Sequence, residues 1–137
     1  MFLSNDESGR MMLKKWMKGY LWSSVMCLLF GLIYEIFSHG VYSVFMLGAF
    51  LIPLLFGALP LALAMKKPIL PGSMLLQLLG CSVMTLSLGS VFKGILDIYG
   101  TTNGKVLVFA SLGVILFLAF FLFYFSGLRA MKSKMKA

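Results

Sequence analysis

Four ionisable residues near the ends of two apolar stretches are the best candidates for chemistry in this chain. Glu35 and His39 are four residues apart, and so are Lys93 and Asp97. Side chains at this spacing share one face of a helix, so each pair places an acidic group beside a basic one. Ionisable groups at membrane depth are costly and usually face a partner or a water-filled cavity. The two pairs therefore predict a polar cluster with a structural or a binding role.

The composition of the chain is that of an integral membrane protein. Hydrophobic residues make up 61% of the 137 residues, and charged residues make up only 12%. Soluble domains contain about twice that share of charged residues. A membrane span takes about 20 apolar residues, so four spans nearly exhaust the chain. We expect a single membrane domain over residues 1–137, with no room for a soluble catalytic domain.

Four apolar stretches are each long enough to cross a bilayer as a helix. They cover approximately residues 19–38, 43–65, 74–96 and 106–128. None has the alternating pattern of a membrane β-strand, and a helix satisfies its backbone polar groups within its own segment. The predicted fold is therefore all-α, an integral membrane four-helix bundle. Pro53 and Pro60 predict a kink in the second helix, because each proline removes a backbone hydrogen bond.

The basic residues predict the orientation of the bundle. Ten of the twelve Lys and Arg residues lie before the first span, between the second and third, or after the fourth. These are Arg10, Lys14, Lys15, Lys18, Lys66, Lys67, Arg129, Lys132, Lys134 and Lys136. By the positive-inside rule this side is cytoplasmic, with both termini inside a multi-pass protein of the cell membrane. The net charge of +8 is then a topology signal, and no nucleic-acid partner is expected.

The two ends of the chain differ in composition from the spans. Residues 1–9 are polar, and we expect them to be flexible. In residues 10–18 basic side chains project to one side and Leu13 and Trp16 to the other, a pattern that suits an interfacial helix on anionic lipid. The alternative is a charged flank that only anchors the topology. Residues 129–137 form a basic cytoplasmic tail.

The residues that usually bind metals or cofactors are scarce. Cys27 and Cys81 are the two cysteines, each predicted about two turns into a span from the cytoplasmic side, and we interpret them as small buried side chains. One histidine and no clustered carboxylates argue against a metal site. No nucleophile elbow, phosphate loop or metal-binding helix motif is present. We therefore predict neither an enzyme nor a bound cofactor.

Small or polar residues recur at spacings of three and four along the first and third spans. The stripe on the first span contains Tyr20, Ser24, Cys27, Gly31, Glu35 and His39, and that on the third contains Ser82, Thr85, Gly89, Lys93 and Asp97. Membrane helices approach closely through small residues, so we predict that the first and third helices pack together in the core. The fourth span is large and apolar on every side, which favours lipid or another membrane protein as its neighbour.

The two charged segments resemble each other. Displacing residues 31–39 by 58 positions aligns them with residues 89–97, so that Glu35 falls on Lys93 and His39 falls on Asp97. The charges swap at both positions. Two repeated hairpins related by an axis along the membrane normal would bring the exchanged charges together across an interface. The match covers nine residues, so chance similarity is the alternative.

The predicted cluster has two interpretations. In one, Glu35 pairs with Lys93 and His39 with Asp97, and the two ion pairs fasten the first helix to the third. In the other, the cluster is a polar pocket open to the outside. Polar residues that would surround the mouth of such a pocket are Tyr34, Tyr42, Tyr99, Thr101, Thr102 and Asn103.

Two classes of function follow from these alternatives. The first is a noncatalytic transporter or permease component that forms a homo-oligomer, or an accessory subunit that docks on a partner membrane protein through its fourth helix. Glu35 and Lys93 would then bind an ion or polar solute, or Glu35 and His39 would carry protons. The second is a membrane redox subunit in which His39 ligates haem or binds a quinone. One histidine supplies one axial ligand, so a bis-histidine haem would need a dimer or a partner subunit.

Overall fold

The structure is a computed structural model that describes residues 2–4, 6–38, 40 and 42–136. Residues 135 and 136 are described by their backbone only. Its elements in chain order are β1 (Phe2–Ser4), α1 (Glu7–Phe37), α2 (Val44–Gly48), a π-helical segment (Pro53–Ala58), α3 (Leu59–Ala64), β2 (Ile69–Pro71), α4 (Ser73–Ile98) and α5 (Val106–Lys136). Four helical stretches are long and apolar enough to cross a membrane, namely Glu7–Phe37, Val44–Ala64, Ser73–Ile98 and Val106–Lys134. The predicted all-α architecture, with four helical stretches long and apolar enough to span a membrane, is confirmed.

The first span is one continuous helix that begins well before its apolar stretch. α1 has 31 residues, which at 1.5 Å per residue is about 46 Å, against about 30 Å for the hydrocarbon core of a bilayer. The helix is therefore longer than one crossing of the hydrocarbon core requires. Asp6 caps this end, where its side chain accepts a hydrogen bond of 3.0 Å from the backbone N–H of Gly9. This bond makes the largest contribution to lowering the pKa of Asp6, and hydrogen bonds from the hydroxyls of Ser4 and Ser8 lower this pKa further.

The second span departs from a regular α-helix where its prolines predict. α2 ends at Gly48, and the π-helical segment begins at Pro53. Proline has no N–H to donate and its ring crowds the preceding turn, so the helix changes its hydrogen-bond pattern there. α3 follows directly, with Pro60 at its start, a position at which the missing donor costs little. The predicted irregularity thus spans about one and a half turns.

A small sheet joins the start of the chain to the connection between the second and third spans. β1 pairs antiparallel with β2, with Phe2 opposite Pro71 and Ser4 opposite Ile69. α5 is fastened to this sheet, because the Tyr124 hydroxyl donates a hydrogen bond of 3.2 Å to the carbonyl oxygen of Ile69. We expected residues 1–9 to be flexible, and the strand within them was not predicted. Its pairing partner lies far along the chain, and three residues are too few to show a strand period.

The most closely packed part of the bundle is the end at which both termini lie. Leu13, Leu70 and Phe120 are buried there in one apolar cluster. Leu13 is fully buried even though the sequence placed it on an interfacial helix. At the opposite end, where the charged residues lie, Ile36 is 78% exposed and Val44 is 83% exposed.

The helices pair differently from the prediction. α4 packs chiefly along α5, and α1 packs chiefly on the π-helical segment of the second span, whereas α1 and α4 touch at few positions. The predicted packing of the first helix on the third is therefore wrong over most of their length. Both stripes of small residues do contact protein, but each faces the span that follows it in the chain.

The two cysteines are also placed differently. Cys81 is exposed and Cys27 is partly exposed, and both thiols are free. The prediction that both are buried in protein is wrong. A thiol behaves as a small apolar side chain, so a lipid-facing position costs it little and burial against protein is not required.

Candidate functional site

Lys93 and Asp97 form an ion pair on one face of α4. The Lys93 ammonium donates a hydrogen bond to Asp97 Oδ1, one helical turn further along. Lys93 Nζ also lies 5.4 Å from the ring centroid of Phe45 in α2, within the range of a cation–π contact. The two charged side chains are 33% and 29% exposed, so the pair is neither fully buried nor fully solvated. Lys93 therefore has a charge partner, Asp97, within its own helix and an aromatic contact, Phe45, in the second span.

Glu35 lies on α1 without such a partner. One carboxylate oxygen, Oε1, is buried and accepts no hydrogen bond. The ion pair that the sequence predicted between Glu35 and Lys93 does not form, because the ion pair found between described residues joins Lys93 to Asp97. The backbone carbonyl of Glu35 accepts hydrogen bonds from the backbone N–H of Ser38, at 3.2 Å, and from its hydroxyl, at 2.8 Å. These bonds close the end of α1, while the Glu35 side chain forms no ion pair or hydrogen bond with another residue that the structure describes.

Met46 of α2 explains why Glu35 and Lys93 stay apart. A Cβ placed on Gly31 of α1 would lie 3.2 Å from the carbonyl oxygen of Met46. A Cβ placed on Gly94 of α4 would lie 2.9 Å from Met46 Cβ and 3.0 Å from its backbone nitrogen. The backbone of Met46 thus lies between the two helices at the level of the charges. The small residues allow close approach as predicted, but the second span occupies the space.

The remaining predicted site residues are dispersed over this end of the bundle. The phenol groups of Tyr34 on α1 and Tyr99 at the end of α4 lie within interaction range of each other. Tyr42 is exposed, and so are Thr101 and Thr102. Asn103 Oδ1 accepts a hydrogen bond of 3.0 Å from the backbone N–H of Lys105 and so forms a local turn before α5. Of the residues predicted around the pocket mouth, Tyr34 and Tyr99 are thus brought together, and Asn103 has a structural role.

His39 lies outside the described residues. The predicted pairing of His39 with Asp97 therefore remains a prediction, as does the redox interpretation in which His39 contacts haem or quinone. Asp97 itself already has Lys93 as a partner.

A cavity of about 340 Å³ lies beside Lys93, between the second span, α4 and α5. Its walls are mainly apolar and include Phe45, Leu86 and Leu107. Lys93 is the charged residue in this lining, and Asp97 compensates its charge. The cavity has the shape and polarity for an apolar group rather than for a free ion.

Two serines that the sequence assigned only to stripes are hydrogen-bonded across helices. Ser24 Oγ on α1 donates to the carbonyl oxygen of Phe50 at 2.8 Å. Ser82 Oγ on α4 donates to the carbonyl oxygen of Gly113 on α5 at 2.9 Å. The two serines are 58 residues apart and the two acceptors 63 residues apart. Each hydroxyl therefore joins a span to the next one, and the spacing of 58 is the displacement that aligns the two charged segments.

Two glycines, each seven residues after one of these serines, show the same correspondence between the two halves of the chain. Gly31 faces Met46, and a Cβ on Gly89 would lie 2.9 Å from Phe109 Cβ of α5. Gly31 and Gly89 are again 58 residues apart, and Met46 and Phe109 are again 63 apart. Most of the difference of five arises because α4 continues three residues further beyond Gly89 than α1 does beyond Gly31, and the connection that follows α4 is one residue longer.

The fold and the site together describe a multi-pass membrane helix bundle with one unpaired carboxylate near the end opposite the termini. No three His, Cys, Asp or Glu side chains in the described ranges gather into a group that could hold a metal ion. Comparison of the chain with protein-family models, with curated proteins and with solved structures found no match.

Proposed function

We propose that this protein is a noncatalytic component of a membrane transport assembly, in which Glu35 binds a proton or a monovalent cation. The observation that carries the proposal is the buried, unpaired Oε1 of Glu35. Glu35 is half-buried, and this oxygen, shielded from solvent and without a donor among the described residues, is a free ligand for a proton or a cation. Lys93 and Asp97 neutralise each other, so we assign them a structural role.

A transport path would be completed by a second copy of the chain or by a partner subunit. Four helices are few to enclose a path for a solute. α5 exposes large apolar side chains along its length, including Leu107, Ile115 and Leu122. Such a surface suits either lipid or the apolar face of another membrane helix. This assembly is the setting in which the proton or cation on Glu35 would cross the membrane.

We infer that the two helical hairpins are pseudo-repeats. The equivalent bonds of Ser24 and Ser82, and the equivalent contacts of Gly31 and Gly89, support this inference. Glu35 and Lys93 occupy matching positions in the two halves with opposite charge. Repeats of this kind place binding groups near the interface between the halves. Glu35 in the first hairpin and Lys93 in the second would then occupy equivalent positions of the repeat.

The orientation we propose follows the positive-inside rule. Both termini lie at the same end of the bundle, where a Cβ on Gly127 would collide with the ring of Phe2. The basic flanks and the Lys66–Lys67 connection belong to that end. We place it in the cytoplasm and Glu35 near the outer face of the cell membrane.

Ion flux into proteoliposomes tests the proposed role of Glu35. Vesicles would contain the purified protein, with internal pH followed by a trapped dye under an imposed pH gradient or potassium potential. We expect flux above that of protein-free vesicles, loss of this flux in Glu35→Gln, and no change in Glu7→Gln. Glu7 is the matched control because it lies at the exposed start of the same helix.

Infrared spectra of the same samples report on the carboxyl group directly. A protonated or cation-bound Glu35 gives a pH- or cation-dependent carboxyl band that Glu35→Gln lacks and Glu7→Gln retains. If Glu35→Gln keeps full flux and an unchanged carboxyl spectrum, the proposal is wrong. A Glu35→Gln variant that loses only thermal stability would identify the residue as structural.

A further inference from the structure

Two apolar cavities lie side by side along α5 at the end that carries the termini. The first, of about 380 Å³, includes Pro60 and Leu63 in its walls. The second, of about 460 Å³, is an open depression lined by side chains of α5 alone, among them Leu118. Phe121 and Phe125 line both cavities, and their rings stack at a centroid distance of 5.9 Å. The two stacked rings thus form a ridge with an apolar groove on either side.

Basic residues lie at one end of both grooves. Lys66 and Lys67 line the first cavity, and Arg129 lines the second. Neither lining contains an acidic residue. Arg129 lies eight residues beyond Phe121 on the continuous helix α5, a rise of about 12 Å. The grooves are therefore apolar over most of one bilayer leaflet and cationic where headgroups would lie.

We propose that this pair of grooves is a binding site for an anionic diacyl phospholipid. One acyl chain would lie on each side of the Phe121–Phe125 ridge, and the phosphate would lie between Lys66 and Arg129. The charge complementarity favours this occupant over a zwitterionic lipid, because Lys66 and Arg129, which form no ion pair with a described acidic residue, attract a net negative headgroup. It also favours a lipid over an apolar partner helix, since such a helix would bring no charge to the basic end.

The site explains two features that the transport proposal leaves aside. Lys66 is exposed at the end of the second span, next to apolar side chains that a longer loop could have covered. The aromatic contacts of α5 are concentrated at this level, where Phe117 also packs edge-on against Phe121 at 4.9 Å. A rigid aromatic ridge between two grooves suits two acyl chains better than one.

Native mass spectrometry of the full chain in mild detergent tests the proposal. The probes are phosphatidylglycerol, phosphatidylcholine with the same acyl chains, lysophosphatidylglycerol and glycerol phosphate. We expect phosphatidylglycerol to bind more tightly than the other three. Lys66→Gln should weaken its binding roughly fivefold, as expected for one lysine beside an anionic headgroup. The matched control is Lys105→Gln, an exposed lysine at the opposite end of the bundle, which should leave the affinity unchanged.

A second variant tests the grooves independently of charge. Leu63→Trp should fill the first groove and weaken binding of the diacyl lipid while leaving binding of the lysolipid unchanged. Val108→Trp is the control, because Val108 is exposed near the opposite end of α5, ten residues before Leu118, and lines neither cavity. Equal binding of the two diacyl lipids, equal losses in Lys66→Gln and Lys105→Gln, or equal binding of glycerol phosphate would each overturn the proposal. Equal losses in the two tryptophan variants would overturn the two-groove arrangement.

Discussion

The hydroxyl of Ser82 on α4 donates a hydrogen bond of 2.9 Å to the carbonyl oxygen of Gly113 on α5. Ser82 is fully buried, and Gly113 offers no side chain that would hold the helices apart. Ser24 makes the equivalent bond to Phe50 in the first hairpin. A hydrogen bond from a serine hydroxyl to a backbone carbonyl oxygen thus joins α4 to α5, and an equivalent bond joins α1 to the second span.

Removing either hydroxyl should weaken its helix pair by a similar amount. We expect Ser82→Ala and Ser24→Ala each to lower the free energy of unfolding by about 0.6 kcal/mol, and by at most about 1.7 kcal/mol, since interhelical hydrogen bonds in membranes fall in this range. Ser111→Ala is the control, because the hydroxyl of Ser111 bonds to Val108 within its own helix. Detergent-induced unfolding followed by circular dichroism gives the comparison. Equal losses in all three variants would contradict a specific role between helices.

Gly94 should be the glycine least tolerant of a methyl group on this face of α4. A Cβ there meets the backbone and Cβ of Met46 at 2.9 to 3.1 Å, and a backbone cannot move as a side-chain end can. We expect Gly94→Ala to destabilise the protein by about 1–3 kcal/mol, as overpacking usually does. In Gly19→Ala the new methyl meets nothing within 4 Å, so stability should stay the same or rise by up to about 1 kcal/mol. Thermal unfolding of both variants measures the difference.

The Lys93–Asp97 pair should contribute modestly to stability. Both side chains are about one third exposed, so solvent screens much of their attraction. A double-mutant cycle of Lys93→Met and Asp97→Leu should give a coupling energy of about 0.5 kcal/mol that decreases with added salt. A coupling of several kcal/mol, independent of salt, would show that the pair is desolvated and would question its structural assignment.

Asp6 should make stability depend on pH in the acidic range. Its folded-state pKa is lowered, chiefly by the hydrogen bond from the Gly9 N–H, so the cap stabilises α1 fully at pH values above the ordinary aspartate pKa. This contribution is lost as the pH falls through the lowered pKa. Asn at this position still accepts the bond but does not titrate. The difference in unfolding free energy between wild type and Asp6→Asn should therefore shrink on acidification, and a difference that grows instead would contradict the cap.

The proposed orientation can be measured by labelling introduced cysteines. In a background with Cys27→Ser and Cys81→Ser, a membrane-impermeant maleimide should label Thr102→Cys in intact cells. Ser133→Cys should be labelled only after permeabilisation. Both positions are exposed, so access to the reagent depends on the side of the membrane. The reverse pattern would place the termini outside.

Some of the site was predictable because it depends on neighbours in sequence. The pairing of Lys93 with Asp97 follows from their spacing of four on one helix. The break at Pro53 follows from the missing N–H of proline. The expected pairing of Glu35 with Lys93 failed, since the stripes showed only that each helix had a close neighbour. They carried no information about which helix that neighbour was.

The sequence by itself determined that this protein has four membrane-spanning helices, because hydropathy and the internal satisfaction of backbone groups are properties of each segment alone. Only the tertiary structure decided that Met46 lies between Gly31 and Gly94 and that Leu13 is buried in one apolar cluster with Leu70 of β2. The physical reason is that lipid is as apolar as leucine, so hydrophobicity does not select partners among membrane helices. Shape and a few hydrogen bonds select them, and these depend on residues far apart in the chain.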